Sequence, residues 1–325
     1  MTLPSHIFIV GSYRSGTSLL RNSLNCAGDV WICGETHFFV PPRTIRCLID
    51  YLFKRPGKTK LENELPFTRR NPSPGSWLTF ERTGGLTTDK GCEKVVNYIY
   101  SNPPNLIWRW IAENIDKELF LRKLIDSDRS FRSFFDLLMT SIAGGKSIRG
   151  EKTPLHIYYI PILLEWFPEA KIIHILRDLR AVFVSQKAKK LKQHSSLLRH
   201  KVIKQFPLIN EIYYGINVTI NWLRIVQLHK QYQQIFPDNY YFCQFETLLN
   251  NPAEQLKKIC SFLNIRYNES MLEQSLQNTY LLQKHQVAGF DKHAVDRWKN
   301  HLHPLTNKWL THWSKKHLIE FGYPL

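Results

Sequence analysis

A glycine-bracketed turn near the N-terminus has the residue types of an anion-binding site. The turn reads GSYRSGTS at residues 11–18 and carries Arg14 between its two glycines. An apolar run, HIFIV at 6–10, precedes it, and apolar residues at helical spacing follow it, so we expect a strand, the turn and then a helix. Backbone N–H groups of such a turn point at one spot, where the helix dipole adds positive potential. The sequence therefore predicts a site for a phosphate or a similar anion.

The position of the cation distinguishes this turn from the loop of ATP- and GTP-binding proteins. That loop has a lysine after its second glycine, which reaches the β- and γ-phosphates; here the place is taken by Thr17. The internal Arg14 suits a ligand held by hydrogen bonds and fixed charge, so no metal is expected. A P-loop nucleotide kinase or NTPase is the less favoured interpretation, and a turn that binds nothing is a further alternative.

The overall charge also favours an anionic partner. The chain has 325 residues with 44 Lys and Arg against 27 Asp and Glu, a formal charge of +17. A surplus of this size favours a nucleotide, a sulfated glycan, a nucleic acid or an acidic membrane surface, although a solvated basic surface would give the same count. The basic residues between 187 and 204 either form such a solvated helix face or attract an acidic acceptor or a polyanion. Specific nucleic-acid binding is not expected, because no DNA- or RNA-reading motif is present.

Targeting signals and cysteine usage predict a cytoplasmic protein. We find no secretory signal, and no stretch of 18 consecutive apolar residues that would predict a transmembrane segment. The six cysteines are scattered without metal-ligand spacing, which favours reduced thiols.

The order of apolar runs predicts an α/β protein. After the first strand and helix, DVWIC at 29–33 is expected as a second strand that lies beside the first. Further strands are expected at 170–176 and 239–245. We predict a single domain over residues 1–325, with three αβα layers around a central parallel sheet. Residues 51–145 are expected to be a loop and helical insertion that covers the site opened by the first strands, which becomes the acceptor site if the protein is a transferase.

Five further segments carry a family resemblance. In chain order they are ICGETHFFVPPR (32–43), GEKTPLHI (150–157), KIIHILRDLRAVFVSQ (171–186), QFETLLNNP (244–252) and DRWKNHL (296–302). Together with the turn they resemble the P-loop-type sulfotransferases that use 3′-phosphoadenosine 5′-phosphosulfate (PAPS). The resemblance is closest to the branch containing tyrosylprotein and bacterial sulfotransferases.

The resemblance implies a donor site built from two groups of residues. Arg14 and the backbone of the following residues are expected at the 5′-phosphosulfate, and Arg177 and Ser185 at the 3′-phosphate. The remaining residues that we assign to the nucleotide are Ser15, Gly16, Thr17, Ser18, Phe245, Arg297 and Lys299. Phe245 stands where the family has tyrosine, so polar contacts from that position are in doubt.

The catalytic groups are assigned within these segments. Glu35 is the expected general base, because it follows the end of the second strand, where open α/β sheets place their ligands. A raised pKa would let its carboxylate take the acceptor's proton, and His37, two residues on, is the alternative base. Lys152 is expected to stabilise the leaving oxygen.

The predicted reaction is sulfuryl transfer from PAPS to a hydroxyl group, with an amine as the less favoured acceptor, releasing 3′-phosphoadenosine 5′-phosphate (PAP). A small-molecule acceptor is favoured over a glycan or a peptide. A non-catalytic protein that binds PAP or a polyanion is the remaining alternative.

Overall fold

The central sheet has five parallel strands in the computed structural model, which describes residues 5–39, 44–57, 86–103, 105–192, 207–273 and 290–325. The strands are β1 (His6–Gly11), β2 (Val30–Cys33), β3 (Ile148–Lys152), β4 (Lys171–Leu176) and β5 (Tyr240–Gln244). Their order across the sheet is β2-β3-β1-β4-β5, and every pairing is parallel. The carboxyl ends of all five strands therefore meet at one edge, where open α/β sheets bind their ligands.

Helices cover both faces of this sheet. They are α1 (Thr17–Leu24), α2 (Thr44–Leu52), α3 (Asp89–Ser101), α4 (Leu106–Asn114), α5 (Lys117–Ile125), α6 (Phe131–Ala143), α7 (Ile160–Trp166), α8 (Leu179–Lys192), α9 (Pro207–Ile235), α10 (Phe245–Asn250), α11 (Pro252–Leu263), α12 (Ser270–Glu273) and α13 (Pro304–Glu320). Short 3₁₀ helices lie at Pro154–Tyr159, Lys292–Ala294 and Arg297–Asn300. No helix within these described ranges is long and apolar enough to cross a membrane.

Two separate apolar cores explain the three layers. On one face of the sheet, Leu20 of α1 and Leu256 of α11 pack with Ile9 and Ile173 of the strands. On the other face the core is larger and includes Trp108, Phe134 and Trp222, from helices α4, α6 and α9. Strands β1 and β4 are buried along almost their whole length, as expected for parallel strands covered on both faces. The predicted three-layer α/β fold is confirmed.

The predicted neighbour of the first strand was wrong. β2 does not lie beside β1, because β3 is inserted between them and pairs with both. The sequence of β3, IRGEK, has only one strongly apolar residue, so its composition does not mark it as a strand. Gly150 permits the close approach of β1, since a Cβ there would lie 1.8 Å from the carbonyl oxygen of Ile7.

The predicted insertion corresponds to the connection between β2 and β3. Helices α3 to α6 occupy the second half of this connection, whereas residues 58–85 of the predicted insertion lie outside the described residues. The Nε1 atom of Trp108 and the Nδ2 atom of Asn105 each donate to the carbonyl oxygen of Thr36 at 3.0 Å. The insertion thus packs directly on the segment that contains Glu35.

Candidate active site

The turn between β1 and α1 has the backbone conformation of a tight anion-binding loop. Arg14 and Gly16 both have positive φ angles, 69° and 95°. A Cβ at Gly16 would lie 2.3 Å from the ring of Phe245, so glycine is required both by conformation and by contact. The Ser15 hydroxyl donates to the carbonyl oxygen of Ser12 at 2.7 Å and holds the turn closed.

The predicted turn residues differ in the solvent exposure of their side chains. Ser15 and Thr17 are buried, whereas the side chains of Arg14 and Ser18 are exposed. Thr17 and Ser18 are the first residues of α1, where backbone N–H groups lack intrahelical partners. An exposed cation and a helix N-terminus therefore face the same side of the turn, which suits an anionic group.

Three of the predicted nucleotide-binding residues lie in contact. The Nε atom of Arg14 donates to the hydroxyl of Ser185 in α8 at 3.0 Å. Arg177, which follows β4, donates through Nη1 to the carbonyl oxygen of Arg14 at 3.1 Å. Residues from the turn, from a strand end and from the next helix thus form one cationic cluster.

Arg177 is partly buried and is held on several sides. Its guanidinium carbon lies 4.2 Å from the centre of the Phe245 ring, and Nη2 donates to the carbonyl oxygen of Ala294 at 2.7 Å. Its Nε atom is buried without a hydrogen-bond partner. Burial lowers the pKa of Arg177 to about 10, with a counteracting contribution from Glu246, so the group remains charged at neutral pH. Phe245 therefore contacts the site through its ring rather than through a polar group.

The C-terminal cations are at the edge of this cluster. Arg297 forms an ion pair with Asp291, and Lys299 Nζ lies 2.7 Å from Asp296 Oδ1. Both side chains are at least half exposed. The segment that carries Arg297 and Lys299 contacts the cluster through the carbonyl oxygen of Ala294. Among the described residues, no hydrogen bond connects either cation to the turn.

The predicted catalytic residues form a second cluster. The Nζ atom of Lys152, the last residue of β3, lies 2.5 Å from Oε1 of Glu35. The Nε2 atom of His37 lies 3.2 Å from the other oxygen, Oε2. Lys152 is buried, whereas about a third of the Glu35 side chain remains exposed. Both candidate bases and the candidate leaving-group cation are thus side by side.

The expected raised pKa of Glu35 is wrong for this arrangement. Burial alone would raise the pKa, but the hydrogen bond from His37 and the charge of Lys152 outweigh burial and hold it well below its usual range. Burial lowers the pKa of Lys152, and Glu35 counteracts that effect. Glu35 is therefore an ionised carboxylate, and its basicity depends on how firmly Lys152 and His37 bind it.

Sequence reasoning missed the buried carboxylate next to Lys152. Glu151 Oε1 accepts hydrogen bonds from the backbone N–H of Thr36 at 3.0 Å and from the Thr36 hydroxyl at 2.7 Å. It also accepts from the hydroxyl of Thr153, and Oε2 lies 3.3 Å from Nδ1 of His156. Since neighbours on a strand point to opposite faces, Glu151 ties the Glu35 segment to β3 while Lys152 reaches Glu35 itself. The available signal was the acidic residue directly before Lys152 in GEKTP.

A second missed network shapes the turn after β4. The carboxylate of Asp178 receives two hydrogen bonds from the guanidinium of Arg180, at 3.0 and 2.6 Å. The backbone N–H of Asp178 donates to Glu246 at 3.0 Å. Arg180 also stacks over Trp298, with 4.3 Å between its guanidinium carbon and the ring centre. These buried contacts fix the backbone from which Arg177 projects.

Comparison of the sequence with known proteins identifies relatives along most of the chain. The model of the sulfotransferase family matches residues 4–269. A protein of Mycobacterium bovis, the omega-hydroxy-beta-dihydromenaquinone-9 sulfotransferase Stf3, is 27% identical over 310 residues, which cover 90% of this chain and 74% of the relative. The protein of the same name from Mycobacterium tuberculosis matches equally well.

Solved structures support the same fold. The sulfotransferase domain of the Synechococcus PCC 7002 olefin synthase is 17% identical, with a TM-score of 0.51 and coverage of 100% of this chain and 97% of that domain. The sulfotransferase domain from the curacin biosynthetic pathway is 19% identical, with a TM-score of 0.51 and complete coverage of both chains. At these identities the likeness is one of fold. The family match, which extends over most of the sequence, shows that this chain belongs to the sulfotransferase family.

Proposed function

We propose that this sulfotransferase moves the sulfuryl group of PAPS to a hydroxyl group of a small lipophilic molecule and releases PAP. The proposal rests mainly on the position of two clusters at one edge of the sheet. The Arg14–Arg177–Ser185 cluster follows β1 and β4, and the Glu35–Lys152 pair follows β2 and β3. A donor held by the first cluster has the second cluster beside it.

The cationic cluster suits a nucleotide with two separate phosphate groups. The turn offers Arg14 and the N-terminus of α1 for the 5′-phosphosulfate. Arg177 and Ser185 suit the 3′-phosphate, and the unpartnered Nε of Arg177 leaves a donor for an anion. The hydrogen bond from Arg14 to Ser185 places both side chains where they could contact phosphate oxygens of one donor.

Proton removal and departure of PAP are coupled through Lys152. The acceptor oxygen forms a bond to sulfur, the bond between sulfur and the bridging phosphate oxygen breaks, and the acceptor's proton passes to the carboxylate of Glu35. As negative charge develops on the leaving oxygen, Lys152 turns from Glu35 towards it. Loss of this partner raises the pKa of Glu35, so the carboxylate becomes a stronger base when the proton must be taken. His37, 3.2 Å from the same carboxylate, is the alternative base.

The proposed acceptor class follows from the relatives and from the insertion. The mycobacterial relatives are named for a hydroxylated dihydromenaquinone, a lipophilic molecule with a hydroxyl group. In this chain, α4 packs on the segment of Glu35 through Trp108, and the insertion's core is apolar. This apolar packing directly behind the Glu35 segment favours a lipophilic acceptor over a charged one.

Thermal stabilisation by nucleotides tests the donor. PAP should raise the melting temperature of the protein, and ATP with Mg²⁺ should not; the reverse pattern would refute the donor and favour a kinase or NTPase. Arg177→Ala should weaken PAP binding much more than binding of adenosine 5′-phosphosulfate, which lacks the 3′-phosphate. Arg122→Ala, an exposed arginine on α5, is the matched control and should leave both affinities unchanged. Equal losses for the two nucleotides in Arg177→Ala would contradict its assigned role.

Labelled PAPS tests the transfer itself. When a series of lipophilic alcohols and quinols is offered, the labelled sulfuryl group should move to at least one acceptor. PAP should form in an amount equal to that of the sulfated product. Binding of PAP without transfer to any alcohol, quinol or amine would favour the non-catalytic alternative.

A further inference from the structure

Helix α2 presents an apolar face to solvent. Ile45, Leu52 and Phe53 are each more than 60% exposed, and Ile49 is 36% exposed. Their spacing of four, three and one residues places them on one side of the helix and at its C-terminal end. The opposite side is buried, where Cys47 packs near the hydroxyl of Tyr158 at 3.6 Å. One side of the helix therefore packs in the core, and the opposite side exposes apolar residues to solvent.

The apolar surface continues onto the long helix α9. Thr44 at the start of α2 donates to Oδ1 of Asn217 at 2.6 Å, which places the two helices side by side. In the turn of α9 before Asn217, the side chains of Ile212, Tyr213 and Ile216 are exposed. Half of the exposed large hydrophobic side chains of the described residues lie in these two segments. Single exposed apolar residues are ordinary, but a concentration of this kind marks an interaction surface.

We name this surface the α2 stripe and define it by Ile45, Ile49, Leu52, Phe53, Ile212, Tyr213 and Ile216.

Basic residues accompany the α2 stripe. Arg46, Lys54 and Arg55 are exposed on the same helix and the turn that follows it. The nearby carboxylate is Asp50, whose side chain is only 13% exposed and pairs with Nε of Arg46 at 3.1 Å and Nη1 of Arg55 at 3.7 Å. On α2 and the turn after it, three exposed cations thus accompany one largely buried anion, which leaves this side of the stripe positive. On α9, Glu211 beside Ile212 is paired with Lys187.

We propose that the α2 stripe docks this enzyme on the surface of an anionic lipid bilayer. An apolar helix face bordered by arginine and lysine is the pattern of helices that lie in the interface, with apolar side chains among the acyl chains and cations at the headgroups. The inference rests on the proposed lipophilic acceptor, which would be held in such a bilayer.

The α2 stripe is connected to both halves of the proposed catalytic pair. Helix α2 follows the segment of Glu35 and His37 in the chain. It also packs, through Cys47, on Tyr158 in the 3₁₀ helix that comes directly after the Lys152 strand. Docking through α2 therefore brings the bilayer close to the elements that carry the acceptor side of the site.

Vesicle sedimentation tests the proposal without any acceptor. Wild-type protein should sediment with vesicles of phosphatidylcholine and phosphatidylglycerol, much less with phosphatidylcholine alone, and less at high salt. The double variant Leu52→Asp/Phe53→Asp should lower the vesicle partition coefficient at least tenfold. Leu119→Asp on α5, which replaces an apolar side chain that is 46% exposed elsewhere, is the matched control and should bind as wild type does. Melting temperatures and PAP binding of all three proteins should agree, because the substituted side chains are exposed.

Three outcomes would overturn the proposal. One is a wild-type protein that fails to bind anionic vesicles, and another is equal binding by the stripe variant. The third is a wild-type dimer that the stripe variant converts to a monomer, which would assign the surface to self-association. Sulfuryl-transfer assays without vesicles distinguish a failure of membrane docking from a failure of the proposed function. In these assays the stripe variant should sulfate a water-soluble alcohol as fast as wild type does. Loss of transfer in every protein would refute the function and leave the vesicle result standing.

Discussion

The ammonium group of Lys152 lies 2.5 Å from the carboxylate of Glu35, although the two residues are 117 positions apart in the chain. The contact forms because β2 and β3 are adjacent parallel strands that end at the same edge of the sheet. Lys152 is almost fully buried, and an unpaired charge there would be costly. Each member of the pair therefore neutralises the other, and together they supply the proposed base and the proposed cation.

Replacing Glu35 should abolish turnover and spare the donor site. In Glu35→Gln we expect the single-turnover rate to fall by about 10²–10⁴-fold, the usual contribution of a general base. PAP affinity should change little, because Glu35 does not belong to the cationic cluster. Rapid-quench measurement with labelled PAPS, together with calorimetry of PAP binding, checks both statements. Near-normal turnover in Glu35→Gln with loss in His37→Ala would assign the base to His37.

Replacing Lys152 should move the pH dependence of the reaction. In Lys152→Met the carboxylate of Glu35 loses its cationic neighbour, while burial continues to oppose ionisation, so the pKa of Glu35 rises. The base is active when ionised, and the acidic limb of the kcat/KM profile should therefore shift to higher pH as the maximal rate falls. A profile with a lower maximum and an unmoved acidic limb would show that Lys152 does not control Glu35.

Glu151 should act as a positioning residue. Glu151→Leu removes the acceptor of both Thr36 hydrogen bonds, so the Glu35 segment loses its tie to β3. We expect kcat to fall at least tenfold with PAP affinity unchanged, and Glu151→Gln, which keeps a carbonyl oxygen, to restore part of the loss.

The matched control for Glu151 is Asp136→Asn. Asp136 pairs with His6 and Arg149 at the opposite, amino-terminal end of the sheet. The Asp136→Asn substitution should lower the melting temperature without a specific loss of kcat. Equal effects of Glu151→Leu and Asp136→Asn on kcat, at equal loss of stability, would refute positioning by Glu151.

Gly16 should be intolerant of any side chain. Gly16→Ala places a Cβ 2.3 Å from the Phe245 ring and also imposes a strained positive φ. Gly144→Ala separates the two effects, because Gly144 also has positive φ but no atom within 4 Å of the added Cβ. Backbone strain alone costs about 1–2 kcal/mol, so the melting temperature should fall in both variants and PAP binding should weaken only in Gly16→Ala. Unimpaired PAP binding in Gly16→Ala would contradict a role of this turn in donor binding.

The local parts of the site were predictable from sequence, and the long-range parts were not. The turn with Arg14 is recognisable because strand, glycines and helix are consecutive, and each has its own residue pattern. Arg177 and Ser185 are also close in the chain, separated by the first turns of α8. The position of β2 relative to β1 depends instead on β3, which lies between them. The polar residues of β3 belong to the proposed active site. A strand that carries Glu151 and Lys152 cannot also have the apolar pattern that would reveal it.

The charge interactions of Glu35 and Glu151 were the part of the site that sequence predicted least well. Sequence placed Glu35 at a strand end, and burial there favours a raised pKa. The lowered pKa arises from Lys152 and His37, and only the folded chain brings Lys152 to Glu35. The role of Glu151 was likewise hidden, since its partner Thr36 lies 115 positions away.

Stability should fall at mildly acidic pH because of two buried histidines. His174 and His229 both contact the hydroxyl of Tyr240, through their Nδ1 atoms at 2.6 and 3.1 Å. Burial lowers the pKa of His229 to about 4 and also lowers that of His174. The unfolded chain binds protons near pH 6.5, and the folded chain does so only near pH 4 at His229, so stability is present above pH 6.5 and is lost as pH falls between these values. For His229 alone the free energy of unfolding should fall by about 2 kcal/mol between pH 7 and pH 5. Urea unfolding of wild type and His229→Gln at both pH values measures this, and an identical pH dependence in the two proteins would refute the assignment to His229.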